Sequence, residues 1–409
     1  MNTPRRVNVA SGRQLESLAH YSRALRVGDT VLQSGTTAID RQGQVRGEGD
    51  VAAQVAAIMK IAAWSMGKAG GRLDDVVRSR VYVTDIAQGD AAARAIAPYF
   101  RTARPAATLV QVNGLARPGQ LIEIELDAVD GAGASARRIG SGGPLEDVYA
   151  YSRAVRVGDR VFISGSTALR AGGVEGPGDM YRQTHATMET ILRALAEAGG
   201  APGDLVYTKT FLTDLGKAAD YTRAFVEALG DVRPVSTLLG VPALIRPELL
   251  VEIEAEAVIG AARTRRDIYT QHMREKPRGY ARAVAVGDLV YLSGCTSVSS
   301  TGEVQAAGDW ARQYDLAMDT IRWALEQAGV SVEDVVRRRT FTVEGARQNR
   351  PYGEGPTPFA KSHPTSLGCR ISGLARPELV VEVEVTAVKG AGAGIQWIGP
   401  DETDPLDAR

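Results

Sequence analysis

The stretch RPAATLVQVNGLARPGQLIEIELDAV fills residues 104–129, and the chain spells it twice more. It returns as RPVSTLLGVPALIRPELLVEIEAEAV at 233–258 and as HPTSLGCRISGLARPELVVEVEVTAV at 363–388. Each copy holds two β-type runs joined by a turn at Arg117-Pro118, Arg246-Pro247 or Arg376-Pro377. The second run alternates apolar and acidic residues, the period-2 signature of a strand with one buried and one polar face. Its first glutamates, Glu123, Glu252 and Glu382, lie 129 and 130 residues apart. A period near 130 is too long for a solenoid unit, so each copy should be a domain with its own core. The 409 residues then divide into repeats at 1–130, 131–260 and 261–409.

The surrounding sequence repeats in step. HYSRALRVGD, AYSRAVRVGD and GYARAVAVGD read as a strand carrying Tyr21, Tyr151 or Tyr280 and ending in a Gly-Asp turn. A second strand follows with Ser-Gly-x-Thr or its close variant, making a hairpin. Then comes a helix with N-cap candidates Asp50, Asp179 and Asp309 and stop signals Gly70, Gly199 and Gly329. A strand and a shorter helix lead into the opening motif. The order per repeat is β-β-α-β-α-β-β, with room for one further strand at the front. The third repeat departs at 345–362, where Pro351, Pro356 and Pro358 should abolish most of the second helix. Such a rebuilt loop, here with Arg347, Arg350 and Tyr352, often marks a binding segment. Residues 131–143 read as a linker, and the acidic tail PDETDPLDAR as mobile.

Composition sets limits. Forty-eight basic and 48 acidic residues give a formal net charge of +0, so nothing suggests electrostatic capture of nucleic acid or an anionic membrane. No run of about 18 apolar residues is present, so no membrane span is expected. Cys295 and Cys369 with four scattered histidines imply neither a disulfide framework nor a metal site. The N-terminus lacks the apolar core of a signal peptide. The expectation is a cytoplasmic protein without metal or cofactor.

The Tyr-Ser-x-Ala, Val-Gly-Asp, Ser-Gly-x-Thr and Glu-Ile-Glu motifs together resemble the Rid (reactive intermediate deaminase, YjgF-like) family over nearly all of each repeat. The resemblance implies an α+β, chorismate-mutase-like fold and a trimer with clefts between subunits, so three fused copies imply a covalent pseudo-trimer. Further oligomerisation stays open. It implies hydrolysis of imines or enamines to a ketone and ammonia. Imine-hydrolysing members carry an arginine two residues after the proline of the penultimate strand. Ala107, Ser236 and Ser366 stand there instead. Tyr21, Tyr151 and Tyr280 match the family's cleft tyrosine, and Glu123, Glu252 and Glu382 the glutamate that orients water.

Strand alternation puts Ser366, Gly368 and Arg370 on one face, so Arg370 is a candidate replacement cation; its counterparts are Gln111 and Gly240. The expected site joins Glu382, Tyr280 and Arg370 as catalytic residues with Ser366, Cys295 and Tyr352, a small nitrogen-containing metabolite as substrate, and Tyr21, Glu123, Gln111, Tyr151, Glu252 and Ser236 lining the other clefts. Plainer alternatives stand beside each. The glutamates would be a solvated face pairing with Arg117, Arg246 or Arg376. The tyrosines would be packing residues, Arg370 a surface partner of Glu384 or Asp309, and Cys295 inert core. The rival functional class is a non-catalytic ligand-binding or chaperone-like protein.

Overall fold

The computed structural model describes residues 6–270, 275–346, 354 and 357–407. Each repeat folds as one α+β unit. Its sheet is covered on one face by a long helix, Val51–Lys68, Met180–Glu197 or Trp310–Ala328. The capping carboxylates do what their sequence position requires. Asp50 accepts from the backbone N–H groups of Ala52 and Ala53, Asp179 from that of Arg182, and Asp309 from that of Arg312. The helices end before Gly70, Gly199 and Gly329, all with positive φ. Their buried stripes form separate cores. Ile58, Met59 and Ala62 pack in unit 1, Met188, Ile191 and Leu195 in unit 2, and Met318, Ile321 and Leu325 in unit 3.

The further strand at the front exists, as Arg6–Val9, Arg137–Ile139 and Arg266–Ile268. The segment at 131–143 is therefore structured rather than a plain linker. The tyrosines sit just ahead of the hairpin strands Ala24–Val27, Ala154–Val157 and Ala283–Val286 rather than within them. The two runs of the repeated motif do not pair with each other. The last strand, Ile122–Val129 in unit 1, lies between the hairpin strand Thr30–Thr36 and Val76–Val83. The penultimate strand, Ala106–Gln111, adds parallel to the far side of Val76–Val83. The Arg-Pro turn is thus a crossover that leaves the penultimate strand at the sheet edge.

That edge is where the units meet. The backbone N–H of Ala107 donates to the Ser164 hydroxyl of unit 2 at 2.8 Å, that of Ser236 to Ser293 of unit 3 at 2.8 Å, and that of Ser366 to Ser34 of unit 1 at 2.9 Å. The same three junctions closing head to tail make a ring around a pseudo-threefold axis. The described part of the tail, to residue 407, is bound rather than mobile. Gln396–Ile398 pairs parallel with Arg6–Val9, and Asp404 accepts from Arg13 at 3.1 Å, so the end of unit 3 straps unit 1. No helix among the described residues is long and apolar enough to cross a membrane.

The alternating acids do not face solvent. Every residue of Ile122–Val129 is buried, on both faces. Glu125 and Asp127 point to the axis with Glu254, Glu256 and Glu384, where they meet Arg78, Arg80, Lys209, Arg337 and Arg339. The pairs run cyclically. Arg78 and Arg80 of unit 1 reach Glu254 of unit 2, Lys209 of unit 2 reaches Glu384 of unit 3, and Arg337 and Arg339 of unit 3 reach Glu125 of unit 1. A half-polar strand pattern reads as solvent-facing only when no complementary charged face exists. Here the neighbouring strand supplies one, and buried ion pairs join each unit to the next.

Candidate functional site

At each junction the penultimate strand of one unit faces the tyrosine, glycine and glutamate of the next. Ser236 therefore shares a cavity with Tyr280 and Glu382, and Ser366 one with Tyr21 and Glu123, while at the third junction Ala106 bridges Ser152 and the Leu109 backbone bonds the Glu252 carboxyl. This divides the expected constellation. Glu382 and Tyr280 share a cavity of about 640 Å³ between units 2 and 3 with Ser236, Tyr221 and Thr296. Ser366 and Arg370 line a different cavity, about 370 Å³, between units 3 and 1 with Glu123 and Tyr21. The expectation placed them together because it took all four from one repeat, whereas each cleft is built from two.

The glutamates are buried at 6%, 5% and 6% exposure, which excludes the solvated-face alternative. Burial pushes each carboxyl up to about 8, with Arg23, Arg153 or Arg282 opposing the rise. The glycine of the Ser-Gly motif makes room for it. A Cβ on Gly35, Gly165 or Gly294 would overlap an oxygen of Glu123, Glu252 or Glu382. The two motifs, about 88 residues apart in each repeat, are thus one steric unit.

Beside each glutamate lies an arginine that the motif reading passed over as the "x" of Tyr-Ser-x-Ala. Arg23, Arg153 and Arg282 occupy it in all three repeats, and that recurrence was the available signal. Arg23 donates to the Tyr21 hydroxyl at 2.8 Å, to Glu16 at 2.9 Å and to the Gly35 carbonyl at 3.1 Å. Arg282 makes the same set with Tyr280 at 3.5 Å, Glu275 at 3.0 Å and Gly294 at 2.8 Å. Burial holds the tyrosine hydroxyls protonated: the Tyr21 and Tyr280 pKa values are raised, chiefly by desolvation, with Arg23 and Arg282 opposing the rise. The tyrosine is presented to the cleft with its hydroxyl already oriented by a guanidinium.

The junctions differ. Between units 2 and 3, Tyr221 of the helix Ala218–Leu229 reaches the cavity and bonds Thr210 at 2.8 Å, and its pKa is raised by burial and opposed by hydrogen bonds to Thr210 and Ser236. Arg278 and Arg376 stand on the same lining. Between units 3 and 1, Trp310 and Tyr314 stack at 5.1 Å on the cavity wall, where the other units have Val51 with Val55 and Met180 with Thr184. Arg370 lies at this rim. It is about half exposed, 3.3 Å from Glu344, and donates to the Leu115 carbonyl at 3.2 Å. Its partner is thus neither Glu384 nor Asp309, and its guanidinium is already engaged.

Two expected residues leave the site. Cys295 is fully buried in the unit 3 core, with its thiol donating to the Ser293 carbonyl at 3.3 Å. Gln111 turns back on its own unit, its amide oxygen accepting from Ile86 at 3.1 Å. Tyr352, with Arg347 and Arg350, lies outside the described residues. Between units 1 and 2, a backbone hydrogen bond at Leu109 opposes the rise of the Glu252 carboxyl without cancelling it. No group of three or more His, Cys, Asp and Glu among the described residues has metal-binding geometry.

The endoribonuclease L-PSP family model matches residues 11–130, 144–259 and 273–389. An uncharacterised protein of Streptomyces coelicolor is 38% identical over 125 residues, 31% of this chain and 93% of its own length. The 3-aminoacrylate deaminase RutC of Acinetobacter baylyi is 36% identical over 107 residues, 26% of this chain and 84% of that enzyme. A solved YjgF/YER057c/UK114-family structure from Mycobacterium tuberculosis is 37% identical and covers 31% of this chain and 100% of its own, with TM-score 0.28. A chorismatase structure, 15% identical, covers 77% of this chain and 93% of its own with TM-score 0.50, a likeness of fold. The three matches leave little of the chain outside them, and this protein belongs to the endoribonuclease L-PSP family, the YjgF or Rid family, as three copies fused in tandem.

Proposed function

We propose that this chain hydrolyses a C–N bond of a small imine or enamine at the cleft between units 2 and 3, releasing ammonia. The observation that carries the reading is the Glu382 carboxyl. It is buried on the wall of the larger cavity beside Tyr280 and Ser236, with its pKa near 8. A general base works best when its pKa lies near the operating pH. In the reaction, ionised Glu382 takes a proton from water as the oxygen adds to the imine carbon. The proton passes to the nitrogen, giving a carbinolamine; Glu382 then carries the proton of the added hydroxyl to the nitrogen as the C–N bond breaks, and a carbonyl product and ammonia leave. Tyr280 and Ser236 donate to the substrate's polar atoms. Similarity to a 3-aminoacrylate deaminase supports this reaction class.

Ser236, Ser366 and Ala107 favour a second reading, since no cation stands at the family's carboxylate-gripping position in any cleft. In that reading the clefts bind a small ligand without turning it over. The test is ammonia release from 3-aminoacrylate and from imines generated in situ, with calorimetric titration of small carboxylates in parallel. Release abolished by Glu382→Gln supports hydrolysis. Flat release with saturable carboxylate binding rejects hydrolysis and leaves the ligand-binding reading.

A further inference from the structure

Away from the clefts, a cavity of about 210 Å³ lies on the pseudo-threefold axis and is lined by all three units. Unit 1 contributes Thr30 and Leu32, unit 2 Arg160, Tyr207 and Glu256, and unit 3 Tyr291, Arg337, Arg339 and Thr386.

The three units are not equivalent here. At the second acid position of the last strand, Asp127 and Glu256 are followed by Thr386. At the first cation position of the facing strand, Arg78 and Arg337 flank Tyr207. One acid and one cation are missing, so the paired cluster stays balanced, five against five, with Tyr207 donating to Glu384 at 3.1 Å. Arg160 is an addition, because units 1 and 3 have Thr30 and Leu289 at its position. It donates to the Thr30 hydroxyl at 2.9 Å and packs 4.8 Å over the Phe162 ring. No carboxylate lies within ion-pair distance of it among the described residues. Arg160 Nε and Arg339 Nη2 are buried without a hydrogen-bond partner, and Arg339 is 1% exposed.

A buried guanidinium N–H without an acceptor carries a desolvation penalty that a water relieves only in part and a negative charge relieves fully. The space is there because Thr386 replaces a carboxylate, and the surplus charge is there because Arg160 is added. The geometry points to a binding site for a compact oxyanion on the axis, held by Arg160 and Arg339 where the other units place their own acid. Glu256 on the wall and Asp29 at the exposed mouth select for a small monoanionic or dianionic group over a polyanion.

Thermal unfolding of the full chain in increasing inorganic phosphate, at ionic strength held constant with chloride, tests this. Acetate runs as a second arm to separate tetrahedral anions from carboxylates. The expected result is a saturable rise in Tm of about 1–3 °C, as for any ligand that binds only the folded state. Thr386→Asp, which restores the acid, should raise Tm without added anion and remove the response. Arg160→Gln, at a partly exposed position, should also remove it. A response that is absent or merely linear in both anion arms overturns the site. So does a saturable response that both variants retain in full.

Discussion

Gly294 and Glu382 exclude any side chain between them. A glutamate oxygen occupies the space a Cβ on residue 294 would take. Gly294→Ala must therefore rotate Glu382 out of position or shift the strand. Small displacements of a reacting group are expensive, so kcat/KM for ammonia release should fall about a hundredfold. Circular dichroism should show the fold intact. Gly165→Ala, in the cleft between units 1 and 2, should leave the rate nearly unchanged. Equal losses from the two changes would mean that the clefts share the work.

The rate should follow Glu382 ionisation. With the carboxyl at about 8, roughly a tenth is ionised at pH 7. A base role therefore requires kcat/KM to rise between pH 6 and 9 with a midpoint near 8. Glu382→Gln should lower it by about 10²–10⁴-fold and flatten the profile. A rate that instead declines above pH 8 would assign Glu382 the acid's part.

Stability should respond to the same groups with a definite sign. Glu123, Glu252 and Glu382 hold their protons to about 8 in the folded chain, against 4.5 when unfolded. Their contribution is greatest below 4.5 and is lost as pH rises through 8. Replacing all three by Gln should flatten the decline of Tm between pH 5 and 9 and give the variant the higher Tm at pH 9. The axial acids act oppositely. Glu384 is held down to about 2, with Lys209 and Arg339 outweighing burial, so its stabilisation is present above 4.5 and lost in acid. Both variant and parent should share that acid limb.

The axial cluster should tolerate no missing partner. Arg80 is 1% exposed and lies 2.7 Å from Glu254, 3.2 Å from Asp127 and 3.4 Å from Glu256. Arg80→Met strands carboxylates from two units and should cost about 3–5 kcal/mol in denaturant unfolding. A change below about 1 kcal/mol would show that the acids find other partners or protons.

The sequence by itself determined the number of units, their element order, the helix caps and the kinship. All of these are local, periodic features written three times over. It also held the Arg23, Arg153 and Arg282 signal, which needed only a closer look at a recurring position. What the tertiary structure alone decided was membership of the clefts. Ser366 and Arg370 join Tyr21 and Glu123 from the far end of the chain, while Glu382 joins Ser236. Spacing along a chain says nothing of which edge strand docks on which neighbour. The direction in which a ring closes is set by complementary charge and backbone pairing between units. The same holds for the acidic face of Ile122–Val129, whose burial depends on cations more than 40 residues away in sequence and often in another unit.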